Sequence, residues 1–234
     1  MTRLHTSPTA ELGPEHTNQD LSTTSAAART RRLLASGIVA GPLFLAVAAI
    51  QAVTRDGFDL SHHPISLLSL GDHGWIQIAN FVVAGALYVA CAVGMRRTLR
   101  GGPSGTWGPL SIGVLGVGMV MAGIFVTDAG AGFPPGAPPG APPQITWHGM
   151  LHSIGGLLSF GMTIGCLAFA RRFAARAEWG WVAFCVGTVA AVLVVLLWPD
   201  MDSLSVRLVL SSAIQSAFVA AVAAHLMRAL PDAT

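Results

Sequence analysis

The sequence predicts an all-α fold, a polytopic integral membrane bundle of six transmembrane helices, and three observations predict it. The 234 residues are 53% hydrophobic and only 10% charged, with a mean hydropathy of +0.62, whereas globular chains carry about 25% charged residues. Six apolar runs are each long enough to cross a hydrocarbon core of ~30 Å, where a helix satisfies its own backbone. All 6 tryptophans, Trp75, Trp107, Trp147, Trp179, Trp181 and Trp198, fall at the ends of those runs, the depth that amphipathic rings prefer.

Residues 1–28 are rich in Thr, Ser, Pro and Ala without hydrophobic period, which predicts a disordered tail holding His5 and His16. Arg29, Arg31 and Arg32 then precede the first span, approximately 33–53. Ala46-Val47-Ala48 has the small-x-small pattern of a cleavage site, but the long polar leader and the apolar stretch beyond it favour a retained helix. The segment Thr54 to Gly74 carries Asp56, Asp59, His62, His63, Asp72 and His73 and is too polar for lipid, with Pro64 marking a bend. The second span, 75–95, places Gln77, Asn80, Ala84, Tyr88 and Cys91 on one inward side. Arg96, Arg97 and Arg100 close it before the turn Gly101-Gly102-Pro103-Ser104-Gly105.

The third span, 107–127, contains Gly113, Gly116, Gly118 and Gly123, which let a neighbouring helix approach closely. After Asp128 comes a tandem PPGA repeat from Phe133 to Pro143, predicted to be an extended, semi-rigid spacer. The fourth span, 146–170, has His148 and His152 four apart on one face, continued by Gly155, Gly156, Ser159 and Thr163. Arg171, Arg172 and Arg176 end it. The fifth span, 179–198, is apolar except for Thr188. A loop with Asp200 and Asp202 leads to the sixth, 204–227, with Arg207, Ser211 and Gln215 on one face, and 229–234 form a tail. The transmembrane domain is thus 29–228, with spans two, three, four and six around a small polar cavity and spans one and five facing lipid.

Arginine sets the orientation. Arg29, Arg31, Arg32, Arg96, Arg97, Arg100, Arg171, Arg172, Arg176 and Arg228 flank one side, which predicts a multi-pass protein of the cytoplasmic (plasma) membrane with both termini cytoplasmic. Membrane lipids are the expected partners. A net charge of +2 without a basic soluble face argues against nucleic acid. Cys91, Cys166 and Cys185 lie inside apolar runs and read as small packing residues.

Every Asp outside the tails, and every His except those in the tail and His225, falls on the outer side. The polar-site candidates are His62, His63, Ser66, Asn80, Asp128, His148, His152 and Arg207. The stretch His63-Pro64-Ile65-Ser66-Leu67-Leu68-Ser69-Leu70-Gly71, continuing through Gly74-Trp75 to Asn80-Phe81 and Gly85, resembles the signature region of a bacterial and archaeal membrane family known as domain of unknown function 998. Thr127-Asp128 and the His opening the fourth span are similar to its pattern as well, over roughly residues 33–227. The resemblance implies a multi-helix membrane fold and no particular catalysis. The Pro-rich insertion after Asp128 and a loop before Arg207 without a Glu depart from the family pattern.

Two classes of function follow. One is a membrane component whose outward polar site is structural or ligand-binding. The other is a hydrolase of a lipid amide or ester, in which His148, His152, Asp128 and His63 hold Zn²⁺ and a water, although the glutamate of an HExxH motif is missing. Haem ligation would need two His at matched depth, and transport would need more ionisable groups at mid-membrane. Arg207 needs a partner if immersed, and Asp128 is the predicted one, with headgroup phosphates the rival.

Overall fold

The structure, a computed structural model, describes residues 14–99, 104–200 and 202–230. Its elements are α1 (Pro14–Thr54), a 3-10 helix (Ile65–Ser69), α2 (Gly74–Thr98), α3 (Ser104–Ile124), α4 (Trp147–Phe160), α5 (Met162–Ala174), α6 (Trp179–Leu196) and α7 (Leu204–Arg228). Six helical stretches are long and apolar enough to cross a membrane, α4 and α5 together making one of them, Trp147–Ala174. α1 packs on α2, α2 on α3, α3 on both α4 and α5, α5 on α6, α6 on α7, and α7 returns to α1. The spans therefore form a closed ring in chain order.

Glycine sets how closely the helices approach. A Cβ on Gly85 would stand 2.5 Å from the Gly116 carbonyl oxygen, and one on Gly116 equally close to that of Gly85, so α2 and α3 touch backbone to backbone. Gly118 and Gly155 do the same for α3 and α4, at 2.5 and 2.7 Å. Such contacts replace the hydrophobic drive that is missing inside lipid. Gly113 differs, since only Ala92 lies near it, at 3.7 Å.

Four features depart from the sequence reading. The helix begins at Pro14 and so takes in the second half of the predicted tail, whose Ala26-Ala27-Ala28 favours helix; residues 1–13 lie outside the described residues. α1 is no lipid-facing bystander, because Gly37 abuts Cys91 and Val219, and Gly41 abuts Ser216 and Tyr88. A stripe of small residues on α1 thus seats two neighbours. The fourth span breaks at Gly161, where Gly161 N–H bonds Leu158 O at 3.0 Å and Ile164 N–H bonds Gly161 O at 3.1 Å, tighter turns than an α-helix makes.

The Pro-rich loop, finally, is folded back. Ala131 N–H donates to Gly140 O at 2.7 Å and Gly132 N–H to Pro138 O at 2.8 Å. Phe133 is thereby turned inward and is 1% exposed, so burial of one large ring overrides the extended preference of the prolines.

α6 buries little of itself, only 17% of its most apolar stretch, as the sequence predicts for the fifth span. It is fastened at both ends by α7. The Arg207 guanidinium donates to the carbonyls of Leu196 (3.1 Å), Trp198 and Asp200, satisfying groups that a helix C-terminus leaves free. At the other end His225 Nε2 lies 3.5 Å from the Glu178 carboxylate, and its ring lies 4.5 Å from that of Trp181. The predicted pair of Arg207 with Asp128 is therefore not formed; the nearer, more numerous acceptors at the end of α6 take the guanidinium.

Candidate functional site

At the end of the bundle away from the two termini, two loops clasp each other. His63 Nδ1 accepts from Asp59 N–H at 2.8 Å, so its Nε2 carries the proton and donates to Ala131 O at 2.8 Å. Both ring nitrogens are engaged. Phe133 of the second loop enters beside His63 and Phe58, with ring centroids 5.6 and 5.3 Å away, and Arg55 covers it from 5.6 Å. Arg55 also donates to Leu68 O (3.2 Å) and Leu70 O (2.6 Å), which fixes the 3-10 helix. Ser61 donates to Asp59 Oδ1 from its hydroxyl (2.7 Å) and its amide (2.8 Å), and these bonds hold the Asp59 carboxyl below its ordinary range.

Asp128 organises the start of α4. Its carboxylate accepts from Thr146 Oγ1 (2.6 Å) and Thr146 N–H (3.0 Å), and Thr146 Oγ1 in turn accepts from Gly149 N–H at 3.1 Å. This is an N-cap backed by an acid, favourable against the helix dipole. One turn deeper, His152 Nδ1 lies 2.9 Å from Ala122 O and 3.0 Å from Phe125 O. Carbonyls only accept, so Nδ1 is protonated and caps the end of α3. No described residue hydrogen-bonds Nε2.

Below the loops lies a cavity of about 410 Å³ between α1, the 3-10 helix, α2, α3, α4 and α7. Phe44, Phe81 and Met119 give it apolar walls, and its polar edge includes Ser66, Tyr88, His152, Ser159, Gln215 and Ser216. The lining contains no Asp, Glu or Arg. Ser153, Ser159 and Ser212 give their protons to carbonyls of their own helices at 2.8–2.9 Å, so each presents an acceptor. Tyr88 Oη and Ser216 Oγ share one hydrogen bond of 2.9 Å, which leaves that pair one proton to donate. Gln215 is 3% exposed, and its Oε1, itself buried, has no hydrogen-bond partner among the described residues.

Of the eight sequence candidates, Ser66 and His152 border this cavity. His62 is exposed and offers only its carbonyl, to Ser205 Oγ at 3.0 Å. Asn80 lies between α1 and α2, donating to Phe44 O (3.0 Å) and Gln77 Oε1 (3.2 Å), and Gln51 donates to the same Gln77 oxygen at 2.8 Å. His148 is exposed, its ring 3.6 Å from that of Trp147. His148, His152, Asp128 and His63 are not gathered into a Zn²⁺ shell: among the described residues no group of three or more His, Cys, Asp or Glu is placed to share an ion. The cysteines are buried and free.

Gln215, Tyr88 and Ser216 are cavity residues that the site reading from sequence omits. The signal was the run Arg207, Ser211, Gln215 at helical spacing, whose lower end marks the cavity while its upper end caps α6.

A family model described as protein of unknown function (DUF998) matches residues 38–225. The chain belongs to that family. In this DUF998 protein the matched span takes in every helix lining the cavity, together with both clasped loops. No curated protein and no solved structure matches the chain.

Proposed function

We propose that this DUF998 protein is a ligand-binding membrane protein whose cavity takes an uncharged, mostly apolar molecule bearing a hydroxyl-type head. The observation that carries the reading is a cavity of about 410 Å³ whose walls are mostly apolar and whose polar edge, with Tyr88, Ser153, Ser159 and Ser216, holds hydroxyl groups and no Asp, Glu or Arg. That volume is within the ~300–1,000 Å³ of small-molecule sites. A ligand hydroxyl would accept the spare proton of the Tyr88 and Ser216 pair and donate to the hydroxyl oxygen of Ser153 or Ser159. The lack of charge on the walls disfavours an ionised head. α4 packs chiefly on α3 and makes no comparable contact with α6 or α7, so the seam between α4 and α7, both of which line the cavity, is the entrance from the lipid phase. The clasped loops close the cavity from above, and the His and Asp residues there are structural. We place the protein in the cytoplasmic membrane with both termini cytoplasmic, which the arginine distribution supports.

The test uses a long-chain fatty alcohol carrying a photoactivatable group, added to purified full-length protein in vesicles. Crosslinks are expected at Phe160 and Leu208. They should vanish in Gly156→Phe, because a side chain at Gly156, a cavity residue, meets nothing within 4 Å and extends into the space. Labelling spread over outward residues of α6 such as Val186 and Val194, and unchanged by Gly156→Phe, would overturn the proposal.

A further inference from the structure

A second concavity lies at the opposite end of the bundle, on the outer surface where α3 crosses α5. Gly165 sits directly on the Ser111 side chain, and a Cβ on Gly108 would stand 2.8 Å from the Phe169 ring, so each glycine seats a side chain of the other helix. Beside that contact the surface sinks into a groove of about 1020 Å³ running from the break at Gly161 down to Arg176. Its walls are unlike the rest of the lipid-facing surface. The upper part is hydrocarbon, with Leu110 49% and Ile164 75% exposed. The lower part holds Arg171, Arg172 and Arg176, with Trp107 at the edge.

The charge here is not tied up in ion pairs. Among the described residues none of the three guanidinium groups has a carboxylate within ion-pair distance, and Glu178, the acid next along the chain, is 3.5 Å from His225 instead. Arg171 and Arg176 are exposed. Guanidinium groups match phosphate oxygens in geometry and charge, and a basic recess between spans is the form that anionic headgroup sites take. Gly161 to Arg171, the part above the guanidinium groups, is about 10 residues of largely helical chain, or ~15 Å at ~1.5 Å per residue, which matches one leaflet's ~15 Å share of the hydrocarbon core. The groove can thus hold a whole acyl chain above its headgroup.

We infer that the α3/α5 groove is a binding site for one anionic phospholipid, its phosphate held by Arg171, Arg172 and Arg176 and its chain laid along Leu110, Val114 and Ile164. The ligand is a structural or regulatory lipid seated on the outside of the ring, separate from the molecule proposed for the inner cavity.

The experiment is native mass spectrometry of the full chain extracted from vesicles of phosphatidylcholine with a minor share of phosphatidylglycerol. One phosphatidylglycerol is expected to survive delipidation in preference to phosphatidylcholine. The variant Arg171→Gln/Arg172→Gln/Arg176→Gln should lower that preference about tenfold. Arg29→Gln/Arg32→Gln/Arg228→Gln, with the same change in charge, should keep it. Ile164→Trp, a surface change that narrows the hydrocarbon part, should reduce retention while the arginines stay. Equal losses in the two triple variants would show diffuse attraction to the interface and overturn the assignment, as would full retention in Ile164→Trp.

Discussion

Two histidines of this chain, both buried, hold backbone. His63 bridges Asp59 N–H and Ala131 O, and His152 caps the end of α3 with Nδ1. The spacing of His148 and His152 pointed to a shared face, but the two are one turn apart in depth. His148 stands at the rim beside Trp147, while His152 is level with the last carbonyls of α3, so position along the helix decides their roles. The loop clasp gives a clear expectation: Phe133→Ala should cost ~3 kcal/mol of local stability, the low side for a buried ring. It should be read as faster proteolysis within 130–143 rather than as a shift in global melting. His63→Gln, which cannot repeat both imidazole bonds in place, should act in the same direction. Asp59 adds a pH dependence. Its folded carboxyl is the more acidic form, so its contribution is complete above the unfolded value of ~3.9 and is lost as pH falls through the lower folded value. Amide exchange at Ser61 should quicken below that point, and Asp59→Asn should remove the dependence.

Neighbouring glycines on one helix have opposite roles. Gly155 lies against the Gly118 carbonyl, whereas Gly156 faces open space. Gly155→Ala should therefore lower thermal stability in detergent, by about 1–3 kcal/mol for an overpacked contact, while Gly156→Ala should be neutral or raise it by about 0.5–1 kcal/mol through helix propensity. Opposite signs at adjacent positions would be hard to obtain from any other packing of α4. The sequence foretold that glycines on α3 would be contact points, because small residues in a span have few other uses. It did not distinguish Gly113 from Gly116, since that depends on which turn of α2 comes opposite. α6 gives a similar lesson. Its lipid-facing character was readable from composition, but the part played by Arg207 was not, because carbonyls at a helix end have no sequence signature. Arg207→Met should release that end and cost about 2–3 kcal/mol, the scale of charged hydrogen bonds. Unfolding of the detergent-solubilised protein, with Arg207→Lys intermediate, would measure it.

The six spans were the most legible level, since hydropathy and tryptophan placement each act over whole helices and reinforce one another. The cavity was less so: it exists because α4 leans on α3 and leaves α7, a matter of tilt that periodicity does not encode. Single-cysteine labelling offers the check at this scale. With both termini inside, Ser61→Cys and Ala141→Cys should react with an impermeant maleimide added to intact cells, and Arg228→Cys should react only after lysis. The reverse pattern would invert the arrangement.

Because the ring follows chain order, its last joint is the one between the first helix and the last. Gly37 and Gly41 have Val219 and Ser216 as neighbours, and Arg31 reaches Leu230 O at 3.5 Å. During synthesis these positions meet α2 early but must wait through the insertion of four intervening spans before α7 arrives, and until then the side turned to α7 has lipid against it. A nascent chain halted near residue 200 should hold its first span loosely, open to quality-control proteases, and become resistant when the final helix is supplied as a separate fragment.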